Sequence, residues 1–106
     1  MTTLRQELMS RLLSIPDVTI DRWKETELFG VNYKGKEVAH FQTGSDCELD
    51  IRLSRTIIKR EGLIVPEEST SHLDRSKNSR WIIQGFHTTE DLDQMVRLVN
   101  MAIELR

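Results

Sequence analysis

The sequence predicts an α+β domain: an antiparallel β-sheet of about four to five strands with N- and C-terminal helices packed on one face, in the order α-β-β-β-β-α-β-α. Three observations predict it. Apolar residues recur at helical spacing near both ends, at Leu4, Leu8, Leu12 and Ile15 and again at Leu92, Val96, Val99 and Ile103. Between these stretches, short runs alternate apolar and polar residues with the period of a half-buried strand. Most of those runs are joined by short segments, two of them Gly-containing, which suit hairpins and leave no room for the helical crossovers that parallel strands need.

The first helix covers residues 3 to 15, with Met9 and Leu13 beside its main stripe and Arg5, Gln6, Glu7 and Arg11 on the other side. Thr3 and Gln6 have capping-box spacing, and Pro16 stops the helix near Ser14 because its ring disfavours helical geometry at the preceding residue. Val18 to Trp23 and Phe29 to Tyr33 read as strands, and the segment Lys34-Gly35-Lys36 reads as a hairpin turn. Glu37 to Gln42 and Cys47 to Leu53 alternate again around the turn residues Gly44, Ser45 and Asp46. Ser54 caps a helix of about two turns that Gly62 closes in a left-handed conformation. Residues 66 to 79 hold one apolar side chain in fourteen, a composition for a segment that moves or binds. Arg80 to His87 returns to strand composition, and Thr88 with Asp91 opens the last helix, whose main stripe Met95 and Ala102 widen.

Composition narrows the function classes. At 106 residues the chain makes one domain, residues 1–106, and its formal charge of −2 argues against a surface built throughout for nucleic acid, while leaving a local contact open. The single Cys, Cys47, excludes an intrachain disulfide and any multi-Cys zinc site. No apolar run is long enough to span a bilayer and the N-terminus lacks the features of a signal peptide, so a cytoplasmic location without membrane contact is expected. No catalytic signature, implied cofactor or indication of oligomeric state appears.

Strand alternation decides which side chains share a face. Ala39 and Phe41, with Cys47, Leu49, Ile51 and Leu53, form the apolar set that faces the helices. The opposite face receives Val38, His40 and Gln42 from one strand and Glu48, Asp50 and Arg52 from the next. Directly opposed residues must lie on one face, and closure on a short loop then sets His40 across from Asp50, Val38 across from Arg52, and Phe41 across from Leu49. The exposed side of an antiparallel sheet is ordinarily polar and solvated, which accounts for such a group without any function. The same residues also suit chemistry: a carboxylate fixes the tautomer of a neighbouring His, and an Arg beside it offers a fork for an anion. His72 can fold over this group from the polar segment, and Trp81, next to that segment, can line a pocket. His40, Asp50 and His72 would also satisfy a site of two His and one carboxylate, although no metal is needed. Two basic runs, one of Arg52, Arg55, Lys59 and Arg60 and one of Arg75, Lys77 and Arg80, are solvated surface unless they converge, in which case they form a patch for phosphate, an acidic partner or nucleic acid.

The segments 35–41, 48–55, 71–73, 79–82 and 89–92, reading GKEVAHF, ELDIRLSR, SHL, SRWI and TEDL, resemble the luciferase-domain family of small, largely uncharacterised proteins. The resemblance covers most of the chain. Lys36 stands where that family carries Arg, and Gln42 where it carries a second His, which removes one candidate metal ligand beside His40. The resemblance implies no particular activity, light emission included; it does imply that His40, Asp50, Arg52 and His72 belong to one site. Two functions follow as expectations. One is a binding module that holds a small anionic molecule or an acidic segment of a partner, with His40, Asp50, Arg52, His72, Arg55 and Trp81 as ligand-binding candidates. The other is a small hydrolase in which His40, polarised by Asp50, is the general base and Arg52 stabilises negative charge. A structural or nucleic-acid interaction role is a further alternative.

Overall fold

The computed structural model describes residues 3–22, 29–41, 47–63 and 80–106. Helix α1 (Leu4–Leu13) starts where the capping spacing puts it: the Thr3 hydroxyl accepts from the Gln6 backbone N–H, and the Gln6 side chain accepts from the Thr3 backbone N–H. Leu8 and Leu12 are fully buried, with Leu4, Met9 and Ile15 at the margin. Leu13, expected to support that stripe, is 52% exposed, because one residue beyond Leu12 turns the side chain about 100° away from the sheet. Arg5, assigned by its charge to the outer side, lies over the rings of Phe29 and Phe41, with its guanidinium carbon 5.6 and 5.0 Å from their centres. The cation thus meets two aromatic rings of the sheet.

Five strands follow: β1 (Val18–Arg22), β2 (Phe29–Tyr33), β3 (Lys36–Phe41), β4 (Glu48–Arg52) and β5 (Trp81–Gly85). They lie side by side in sequence order, each antiparallel to the next. The turn between β2 and β3 has positive φ at both Lys34 (51°) and Gly35 (82°), the backbone that matches the twist of a tight hairpin and that Gly35 adopts without a steric penalty. Between β3 and β4 the register is Ala39 to Ile51, His40 to Asp50 and Phe41 to Leu49, as alternation predicts.

One strand departs from simple alternation. The β2–β3 register shifts between Val31, which faces Ala39, and Asn32, which faces Glu37, so Val38 is an extra residue in β3. The bulge interrupts the period of two, and Val38, expected beside His40 on the polar side, is instead fully buried in the same core as Ala39.

Helix α2 (Arg55–Arg60) begins at Ser54, whose hydroxyl accepts from the Ile57 backbone N–H, and closes at Gly62 with φ +65°. Helix α3 (Thr89–Glu104) begins at a Thr88–Asp91 capping box. Its buried residues are Leu92, Met95, Leu98, Val99 and Ala102, with Val96 and Ile103 at the edge. The buried stripe is thus rotated from the expected one, since α3 meets α1 on one flank and β3 and β4 beneath it. Arg11 of α1 reaches Asp93 of α3 at 2.6 Å, and Arg97 of α3 reaches Glu61 after α2 at 2.7 Å. Phe41 and Phe86 meet edge to face, ring centres 6.4 Å apart, in the core between sheet and helices. Among the described residues no helix is long and apolar enough to cross a membrane. Trp23, Gln42, His72, the turn at residues 44–46 and the polar segment 66–79 lie outside the described residues.

Candidate functional site

The β3–β4 register brings His40 to Asp50, with Nε2 3.0 Å from Oδ2. Asp50 is fully buried and the His40 side chain only 14% exposed, so the carboxylate has exchanged water for protein donors, among them the imidazole. An acceptor carboxylate at Nε2 assigns the ring proton to that nitrogen. The other ring nitrogen, Nδ1, lies 3.9 Å from Oε1 of Glu37. Trp81 of β5 completes the group, its ring centre 5.0 Å from that of His40 at a tilt of 40°.

This side of the sheet is polar in part, but it is not the open surface that alternation suggests. Asp50 and Ile83, which face each other across β4 and β5, are both buried, and Glu48 is 8% exposed with its Oε2 in no hydrogen bond. Period-two patterning reports which face a side chain takes, and carries no information on how much of that face is covered.

A second arrangement lies where β4 ends. Arg52, Ser54, Arg55, Thr56, Arg80 and Leu105 line an open pocket of about 350 Å³. Local structure explains the gathering. The Leu53 N–H donates to the Arg80 carbonyl at 2.6 Å, tying the end of β4 to the residue before β5. Ser54 then turns the chain into α2 and presents Arg55 and Thr56 beside that tie, while Leu105, the C-cap of α3, supplies an apolar wall. Arg106 is anchored next to it, donating from Nε and Nη2 to the Glu37 carbonyl at 3.2 and 2.6 Å. Burial, and then the positive charges of Arg106 and Arg80, push the Arg52 guanidinium pKa below its ordinary value. Among the described residues no carboxylate pairs with Arg52, Arg55 or Arg80.

The expected site residues therefore fall into two neighbouring groups. His40, Asp50 and Trp81 meet on the sheet, and Arg52 and Arg55 line the pocket. Arg52 is the link, on the same face as Asp50 and opposite Trp81 in the register. His72 lies outside the described residues. Arg80 carried a sequence signal as a member of the second basic run, which forms a patch if it converges with the first, and Ser54 carried one as a helix cap. Thr56, Leu105 and Arg106 carried none: Thr56 is placed by the turn into α2, and Leu105 and Arg106 by where α3 ends against the sheet. Cys47 sits half-buried just before β4. Among the described residues no group of three or more His, Cys, Asp or Glu could hold a metal ion.

No curated protein and no solved structure gives a significant match to this chain. A family model does: residues 35–102, from the β2–β3 turn into the last turns of α3 and so across both groups of site residues, match the Luciferase domain. The chain belongs to the luciferase-domain family.

Proposed function

We propose that this chain is a binding module for a small anionic molecule, held at the pocket lined by Arg52, Arg55 and Arg80 at the end of the polar sheet face. The observation that carries this reading is the gathering of three arginines, from the end of β4, the start of α2 and the residue before β5, around one concavity. Bringing like charges together costs free energy that an anion would offset, and the guanidinium fork suits oxyanions in particular. The volume of about 350 Å³ lies at the small end of the range for small-molecule pockets. Isothermal titration with inorganic phosphate, sulfate and citrate at fixed ionic strength tests it. At least one should bind the natural chain and lose about tenfold or more in affinity in Arg52→Ala and Arg80→Ala variants that keep their unfolding temperature. Equal affinity in both variants and the natural chain would refute the assignment of the pocket.

A second reading rests on the 3.0 Å contact between His40 and the buried Asp50, a base held by an orienting carboxylate. In it the protein is a small hydrolase with His40 as general base. Turnover of a p-nitrophenyl ester that disappears in His40→Gln would support it, and turnover that survives would remove His40 from that role.

A further inference from the structure

The pocket differs from a plain cationic patch in three ways that together narrow the ligand's chemistry. The first is the ratio of donors to the acceptors a ligand can offer. Arg52, Arg55 and Arg80 each present up to five N–H groups in a fixed fork, with hydroxyl donors from Ser54 and Thr56 beside them. A carboxylate brings one charge on two oxygens. A phosphomonoester brings about 1.5 to 2 negative charges on three oxygens, which can take forks from more than one guanidinium at once. The second is charge balance. Arg106, held against the Glu37 carbonyl, and Arg80 both act on Arg52, so the described residues bring several positive charges to the pocket, which a dianion offsets better than a monoanion. The third is space. A volume of about 350 Å³ is more than ten times the roughly 30 Å³ that one water occupies in the liquid, room for more than a bare phosphate, and Leu105 is the apolar residue among the described lining.

We infer that the pocket takes the phosphomonoester of a small organic alcohol, with the phosphoryl group against Arg52, Arg55 and Arg80 and the organic part against Leu105. The inference rests on the anion-binding reading and goes beyond it by naming the head group and the existence of an apolar body. Ser54 has a structural duty as the cap of α2, so its hydroxyl is partly committed, whereas among the described residues the Thr56 hydroxyl caps no helix.

Three probes separate the parts of this claim: phenyl phosphate, phenylacetate with nearly the same body and a carboxylate head, and inorganic phosphate with the head alone. Each is titrated calorimetrically into the full chain at one ionic strength. Phenyl phosphate should bind about tenfold or more tighter than phenylacetate, and tighter than inorganic phosphate. Leu105→Ser should narrow the gap between phenyl phosphate and inorganic phosphate, and Arg80→Ala should weaken both together. Leu105 and Arg80 are exposed at their side chains, so both variants keep the core intact. Phenylacetate binding as well as phenyl phosphate would overturn the phosphoryl assignment and leave a general anion site standing. Inorganic phosphate binding as well as phenyl phosphate would overturn the apolar body. Failure of all three probes to bind would overturn this inference, and failure of sulfate and citrate as well would take the anion-binding reading with it.

Discussion

At the scale of single residues, the sheet's polar side is organised around a carboxylate with no access to water. Asp50 accepts from His40 at 3.0 Å, so truncating the histidine removes a donor from a buried charge. His40→Ala should lower the unfolding free energy by about 1–3 kcal/mol in a denaturant titration. In the natural chain, nitrogen-15 spectra of the neutral His40 ring should show the Nε2-protonated tautomer, and Asp50→Asn should change that spectrum. Glu48 makes a contrast. Its Oε2 is buried in no hydrogen bond, so Glu48→Gln, which removes a charge, should leave stability unchanged or raise it by up to about 1 kcal/mol. Ile51→Asp, on the helix-facing side of the same strand, should cost about 3 kcal/mol or more, because it places a new carboxylate in the core. The pairing of His40 with Asp50 was legible in the sequence because it follows from parity alone. The inward turn of Val38 was not, because a one-residue bulge shifts the register without disturbing the apolar pattern on which parity is read.

At the scale of elements, each helix start was legible from capping spacing, because a cap is a local event between residues three apart. The buried arc of α3 was less so: it depends on how α1 and the sheet approach the helix, and Leu98 entered the core without belonging to the main periodic stripe. The start of α3 also gives a pH dependence. The His87 backbone N–H bonded to Asp91, and secondarily the donors of Thr88, hold the Asp91 carboxyl below its ordinary value against a smaller opposing effect of burial. A lowered folded pKa means that this stabilisation is complete above the unfolded value of about 3.9 and is lost as the pH falls through the folded one. Asp91→Asn should therefore flatten the acid side of the stability profile followed by thermal unfolding, with the largest difference from the natural chain near neutral pH. Thr88→Ala should cost about 1 kcal/mol by removing the other half of the box.

At the scale of the whole molecule, a net charge of −2 conceals an uneven distribution among the described residues. Arg52, Arg55 and Arg80 gather around one pocket with Arg106 beside it, while Glu7 and Asp93 pair with Arg11 and Glu61 pairs with Arg97 elsewhere. Composition could not show this, because Arg52 and Arg80 are distant in sequence and meet only when β5 pairs with β4. The central claim is that an anion occupies that junction. The most direct test is a chemical-shift map of isotope-labelled protein titrated with phenyl phosphate, read at backbone amides and arginine Nε–H groups. The account predicts saturable shifts concentrated at Arg52, Ser54, Arg55, Thr56, Arg80 and Leu105, with little change at the exposed outer residues of β1. Shifts centred on β1, or none at the arginines at saturating probe, would contradict it.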